Sequence, residues 1–292
     1  MHNVSKNDRV ILFINKILLG LIVLIILFPL VYVLLGSFLD PKVLVSEGIS
    51  FNPSDWTLDG YRRVFQEGSI VKGFINSIIY AGSFTIITVV LTVFAAYPLS
   101  IDEFRGKKVF MVFFLITMFF NGGLIPTYLL IKDLNLLNTV WAIILPGSIG
   151  VWNIILVRTF FKGLPKELKE AAKIDGASEL QIFFKIIFPL SKPVIFVIAL
   201  YAFVGQWNSY FDAMIYLEDQ DLYPLQLVLR SILIQNEVKP GMINDMQAAA
   251  ELSKIAEKIK YASIVISSLP LIIMYPFFQK YFEKGVMVGS LK

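Results

Sequence analysis

The sequence has no cysteine and a single histidine, His2, among 292 residues. The first absence excludes disulfides, thiol catalysis and cysteine metal sites. The second argues against a histidine triad or histidine metal centre, because His2 sits at a chain end, where order is poorest. Charge is scarce as well, with Asp, Glu, Lys and Arg making up 16% of the residues. No Gly-x-x-x-x-Gly-Lys-Ser/Thr phosphate loop occurs, since Gly106-Lys107-Lys108 lacks both the upstream glycine and the hydroxyl residue. The chain therefore cannot hydrolyse ATP by itself, and no catalytic constellation supports a membrane-embedded enzyme. Fixed-period repeats and low-complexity tracts are missing too.

What is abundant is apolar. Hydrophobic residues reach 57% and the mean hydropathy is +0.72, which marks an all-α integral membrane protein, because lipid offers backbone polar groups no partner outside their own helix. Six runs are long enough to cross a hydrocarbon core of about 30 Å: roughly 17–36, 73–99, 109–131, 139–161, 193–216 and 261–279. The first is preceded by Lys6, Arg9 and Lys16 but is too long for a signal peptide and lacks a small-x-small cleavage site, so it is expected to be a retained span. On this topology 16 of the 26 Lys and Arg residues fall in segments 1–16, 100–108, 158–192 and 280–292, which hold 8 of the 22 acids. That asymmetry places both termini in the cytoplasm. The net charge of +4 is then an orientation signal, and no basic stripe interleaved with aromatics suggests nucleic acid.

The expected domain plan is a first helix and extracytoplasmic loop over 1–69, then a membrane core over 70–292 with a cytoplasmic loop at 163–192 and a tail at 280–292. A second outer loop, 217–260, carries Tyr223-Pro224-Leu225-Gln226 and a polar helical stretch from Met246 to Lys260 expected to lie on the outer face. Loop 163–192 is the most informative stretch. Pro165 suits a first helical turn, and Leu168, Ala171 and Ala172 then share a face. Asp175-Gly176 signals a turn, and Ser178-Glu179-Leu180-Gln181 has the form of a capping box. The next helix places Leu180, Phe183, Phe184 and Ile187 on one stripe, and Pro189 is expected to stop it. On periodicity alone this helix-turn-helix could equally be an amphipathic linker lying on the membrane surface.

The spacing from Glu170-Ala171-Ala172 through Gly176 to Ile186-Ile187-Phe188-Pro189 resembles the cytoplasmic loop of permease subunits of ATP-binding-cassette importers. Asn121-Gly122-Gly123-Leu124-Ile125-Pro126-Thr127-Tyr128, Gln206-Trp207-Asn208, Tyr223-Pro224-Leu225-Gln226 and Tyr275-Pro276-Phe277-Phe278-Gln279-Lys280-Tyr281 extend the likeness over nearly the whole chain. They look like the carbohydrate-uptake permeases related to the inner maltose permease, in a branch linked to complex oligosaccharides. The resemblance implies a type I importer permease fold of six helices and a heterodimer with a second permease. It also implies a pair of cytoplasmic ATPase subunits, which hold ATP and Mg so that this chain needs no cofactor, and an extracytoplasmic solute-binding protein. In that family the loop docks into a groove on the ATPase. Ala171 and Ala172 would then pack in the groove, Gly176 make the turn and Glu170 anchor it, with Asp175, Phe183, Phe184 and Pro189 completing the motif. The tail around Gly285, Gly289 and Lys292 resembles one that enters the ATPase interface, without that tail's terminal glycine.

Candidates for the solute path are polar groups inside the spans: Asn76, Asn121, Tyr128, and the set Gln206, Trp207, Asn208, Tyr210 and Asp212. Aromatic faces with a few amides and a carboxylate suit a sugar. The same groups would equally serve hydrogen bonding between helices. Asp212 is the one carboxylate in an assigned span and lies near its outer edge. The lack of ionisable groups at midplane argues against a standalone ion-coupled carrier. Gly122-Gly123 beside Pro126 suggests a kink or gate, and Pro29, Pro98, Pro270 and Pro276 suggest further helix breaks.

Overall fold

A computed structural model describes residues 6–235, 259–277 and 279. Among these residues the secondary structure is helical, apart from one isolated antiparallel bridge between Leu39 and Trp56. The chain forms two compact units, one running up to Gly68 and including Leu229–Leu269, the other made of Ser69–Val228 and the part from Pro270.

In the first unit, α1 (Lys6–Gly36) contains the 26-residue apolar stretch Ile11–Gly36, whose side chains are exposed on all sides from Ile11 to Val31. This is the pattern of a helix that meets lipid rather than protein. Beyond it the chain is ordered. Asp40 accepts from the Lys42 N–H to cap α2 (Pro41–Ser46), and α3 (Asp59–Gln66) buries Val64. Phe38 stacks between Trp56 and Tyr61, with ring centroids 6.0 and 5.3 Å away, while the hydroxyls of Ser37 and Tyr61 share a 2.7 Å hydrogen bond.

The second unit is organised on α4 (Gly68–Ser100), a continuous helix of 33 residues. It is followed by α5 (Lys107–Phe119) and α6 (Leu124–Asp133), bent 114° from one another at residues 120–123. Then come α7 (Trp141–Ile144), α8 (Val151–Lys162), α9 (Lys166–Ile174) and α10 (Glu179–Leu190), the last containing a π turn at Phe183–Ile187. A bend of 74° at Ser191 leads into α11 (Lys192–Trp207), followed by α12 (Phe211–Tyr216) and α13 (Leu225–Gln235). Helix α14 (Ile259–Phe277) closes the described residues and belongs in part to each unit.

Three of these helices are long and apolar enough to cross a membrane, or five if each bent pair counts as one span. The runs expected at 109–131, 139–161 and 193–216 are each interrupted. Helices α1, α4 and α14, by contrast, continue through Pro29, Pro98, Pro270 and Pro276, so these prolines do not break them. A spanning helix tolerates proline where neighbouring groups satisfy the freed carbonyl. Pro126 falls in the first turn of α6, where no donor is needed.

Two apolar cores hold this unit together. One joins the Ser100 end of α4 to α8, α10 and α11 through Tyr97, Phe161, Phe183, Ile187 and Ile198. The other gathers Tyr80, Ile131, Ile143, Ala213, Tyr216 and Leu227. At the Gly68 end, a Cβ on Gly73 would lie 3.2 Å from the backbone of Leu225, so only glycine lets α13 start this close to α4.

Candidate functional site

Loop 163–192 is built as a two-helix unit with one face committed to the chain and one left open. Pro165 immediately precedes α9, with ψ 127°. At the far end, Ala177 N–H donates to the Ala172 carbonyl (2.9 Å) and Gly176 N–H to that of Lys173 (3.1 Å), a Schellman closure with Gly176 left-handed at φ 77°. The expected capping box forms: Gln181 N–H donates to Ser178 Oγ (3.3 Å) and Ser178 N–H to Gln181 Oε1 (2.8 Å).

The expected stripe splits. Ile182, Phe183 and Ile187 are buried, whereas Leu180 and Phe184 are exposed. Leu180 and Phe184 stand four residues apart on one face, with Phe183 and Ile187 on the next, and only the second face meets the core; here Phe188 N–H reaches back five residues to the Phe183 carbonyl in a π turn. Pro189 does not end the helix, which runs to Leu190. The chain turns one residue later, at Ser191. Ala172 also turns inward, packing on the core with Phe161 and Phe183, while Glu170, Ala171 and Asp175 are exposed. Left exposed are Ile174, at 86%, Leu180, and Phe184, whose ring is also edge-on to Phe94 of α4 at 6.3 Å.

What holds this unit in place comes from elsewhere in the chain. Tyr97 of α4 packs its ring on Phe183 at 4.8 Å and donates its hydroxyl hydrogen to Glu179 Oε2 at 2.9 Å. Glu179 also pairs with Lys173 across the turn at 3.0 Å. Burial pushes the Glu179 carboxyl up, but the hydrogen bonds from Lys173 and Tyr97 outweigh it and leave it below the usual value. Asp102 receives Lys107, Lys162 and Lys166 at 3.1, 3.4 and 3.5 Å. Hydrogen bonds from Lys107 and Lys162 hold its carboxyl down to about 2. Between the two pairs lies a cleft of about 200 Å³, which Lys169 lines, its ammonium pulled below the ordinary value by burial. Arg158 Nε donates to the Leu99 carbonyl (2.9 Å) and so caps the end of α4. Sequence reasoning missed Tyr97, Glu179, Asp102 and Arg158. The one available signal was the concentration of lysines in 158–192, where they are interspersed with acids.

A carboxylate with a depressed pKa adds stability that is present above its unfolded value near 4 and fades as pH falls toward 2. The Asp102 cluster is therefore expected to be unchanged between pH 7 and 5. Asp102→Asn should free three lysines and speed tryptic cleavage at Arg105–Lys108 severalfold in opened vesicles.

The solute-path candidates do not form one cluster. Asn76 Nδ2 donates to the carbonyls of Asp221 (2.9 Å) and Tyr223 (3.0 Å), and Tyr80 Oη to that of Leu222 (2.8 Å). Gln206 Nε2 donates to the Ile143 carbonyl (3.4 Å), and Asn208 Nδ2 to that of Val204 in its own helix (2.9 Å). Trp207 is 1% exposed, edge-on to Phe74 and stacked with Phe203. Asn121 accepts from the Gly123 N–H in the 114° bend. Tyr128 stacks with Tyr216 at 6.3 Å, one helical turn along α12 from the half-buried Asp212, and Tyr210 precedes that helix, 39% exposed. Gly285, Gly289 and Lys292 of the tail, and the stretch from Met246 to Lys258, lie outside the described residues.

A family profile described as the binding-protein-dependent transport system inner membrane component matches residues 75–288. The chain belongs to this family. The permease is 40% identical over its whole length to Protein LplC of Bacillus subtilis (strain 168), covering 98% of that protein. It is also 40% identical to the polygalacturonan/rhamnogalacturonan transport system permease protein YtcP of the same organism, over 92% of this chain and 93% of that one. Its fold matches a chain in the crystal structure of a bacterial ABC transporter involved in the import of the acidic polysaccharide alginate. The TM-score is 0.84 with 33% identity, over 95% of the permease and 98% of that chain. The permease is thus a multi-pass membrane component of an ABC importer, a subunit distinct from the ATPase.

Proposed function

We propose that this permease carries an oligosaccharide, delivered by an extracytoplasmic binding protein, across the cell membrane by alternating access. It pairs with a second, different permease and rests on two ATPase subunits that hold ATP and Mg. Six spans with both termini cytoplasmic fit the lysine and arginine distribution, with the interrupted runs counted as broken spans.

The observation that carries the reading is the open face of loop 163–192. Ile174, Leu180 and Phe184 stand exposed on a unit whose opposite side is packed and hydrogen-bonded into the permease. An apolar face this rigid suits docking on a protein groove, with Glu170, Ala171 and Asp175 at its border. A docked partner shifts the transport equilibrium only if it grips the two states differently. The tail residues Gly285, Gly289 and Lys292 belong to the same proposed interface. The carbohydrate reading is supported by the names of YtcP, a polygalacturonan/rhamnogalacturonan transport system permease protein, and of the importer of the acidic polysaccharide alginate. Among the candidates, Asn121, Tyr128, Tyr210 and Asp212 are assigned to the solute path. Gln206, Trp207, Asn208 and Asn76 hold helices and loops in position.

The test is ATP hydrolysis by the reconstituted complex while binding proteins loaded with different oligosaccharides are titrated in. Stimulation by one loaded protein is the expected result. A stable complex that no loaded protein stimulates would overturn the oligosaccharide reading.

A further inference from the structure

Helix α4 is attached at both ends to elements that must move. At the Ser100 end, the Tyr97 hydroxyl holds Glu179 and its ring holds Phe183, while Phe94 lies 5.5 Å from the same ring. At the Gly68 end, Asn76, Tyr80 and Ser77 hold the carbonyls of residues 221–223 and the Leu225 N–H, the last at 2.8 Å to Ser77 Oγ. Helix α4 is unbroken over its 33 residues, and the stretch from Asn76 to Tyr97 that separates the two attachments is about 32 Å at 1.5 Å per residue. Helix α11 follows loop 163–192 directly in sequence, but it joins α10 through a π turn and a 74° bend. Those are places where a helix turns about itself and a push is absorbed.

We propose that α4 is the rod by which loop 163–192 drives the segment at 217–225, with Tyr97 the positioning residue that locks the loop to it. The inference rests on the ATPase-docking reading and adds the route by which the stroke reaches the opposite face. A hydrogen bond to a charged group is strong enough to matter here: the buried Tyr97 reaches a Glu179 carboxylate that stays half exposed, and the buried ring contact with Phe183 adds to the lock.

Tyr97→Phe keeps the ring and removes only the hydroxyl. In the full complex, solute moved per ATP hydrolysed should fall about tenfold, the scale expected for losing one such bond, with hydrolysis and membrane level unchanged. Glu179→Gln still offers Tyr97 a side-chain acceptor and should stay close to the unmodified ratio, whereas Glu179→Ala leaves it only the main-chain carbonyl at 3.3 Å and should fall between that ratio and Tyr97→Phe. A purely structural role would lower protein level and leave the ratio intact. Because the sequence has no cysteine, V90C and K185C can carry spin labels on α4 and α10. Their separation should be the same with and without trapped ATP, and should change between those states in the Tyr97→Phe background. A normal transport ratio in Tyr97→Phe, or a separation that changes with Tyr97 present, would overturn the rod. Absence of ATP-dependent uptake in the unmodified complex is a different failure: it removes the docking reading, and the rod with it.

Discussion

Gly176→Val is expected to cut solute uptake roughly ten- to hundredfold while leaving membrane insertion and level unchanged. The position adopts φ 77°, and nothing lies within 4 Å of where a Cβ would stand. The cost is therefore backbone strain and not a clash. A β-branched residue in the left-handed region costs about 1–3 kcal/mol, and each 1.4 kcal/mol is about a factor of ten. Relieving the strain means opening the Schellman closure, which releases the Ala172 and Lys173 carbonyls and swings α9 relative to α10. The exposed Ile174 of α9 would then shift relative to Leu180 and Phe184 of α10. Gly176→Asn is the control, because asparagine tolerates left-handed geometry, and it should keep most of the uptake. The measurement is uptake and ATP hydrolysis in the same vesicles, normalised to permease level. Equal uptake by the valine and asparagine variants would remove the docking role from this turn.

Trp207→Ala should behave in the opposite way, with the amount of folded permease falling. Trp207 is 1% exposed and packs against Phe74 and Phe203. Truncating a buried tryptophan costs ~3–5 kcal/mol through lost contacts and the cavity left behind, comparable to the whole stability of many domains. Detergent-solubilised Trp207→Ala should give a markedly lower melting temperature and poor recovery. The small folded fraction should keep the unmodified apparent affinity for loaded binding protein and solute. If Trp207→Ala folded normally and lost only solute affinity, the residue would return to the solute path.

Part of the helical layout could be read directly, because long apolar runs are a physical consequence of a bilayer. Gly122-Gly123 also signalled the site of the 114° bend. The interruption between α7 and α8, around Pro146-Gly147, was hidden inside an otherwise apolar run. In loop 163–192 the turn and the capping box were legible because they depend on residues within a few positions of each other. The division of Phe183 from Phe184 was not, since apolar residues on two neighbouring faces of a helix do not say which face meets the core. The Tyr97–Glu179 contact joins residues 82 positions apart and leaves no local trace. The amides of Asn76, Gln206 and Asn208 read as solute groups because their polarity in a span demands an explanation. In the structure they meet backbone carbonyls, the acceptors nearest to hand in an apolar setting.

The hydrogen bonds that Asn76 and Tyr80 of α4 make to residues 221–223 all end on main-chain carbonyls, and the side-chain tie, Lys72 to Asp221 at 2.7 Å, is an exposed ion pair that contributes little. Main-chain acceptors survive almost any change of side chain. That segment can therefore be rewritten by mutation, to suit a new cargo or a new delivery protein, without being unmoored. A lineage of importers could diversify there while the machinery beneath stays the same.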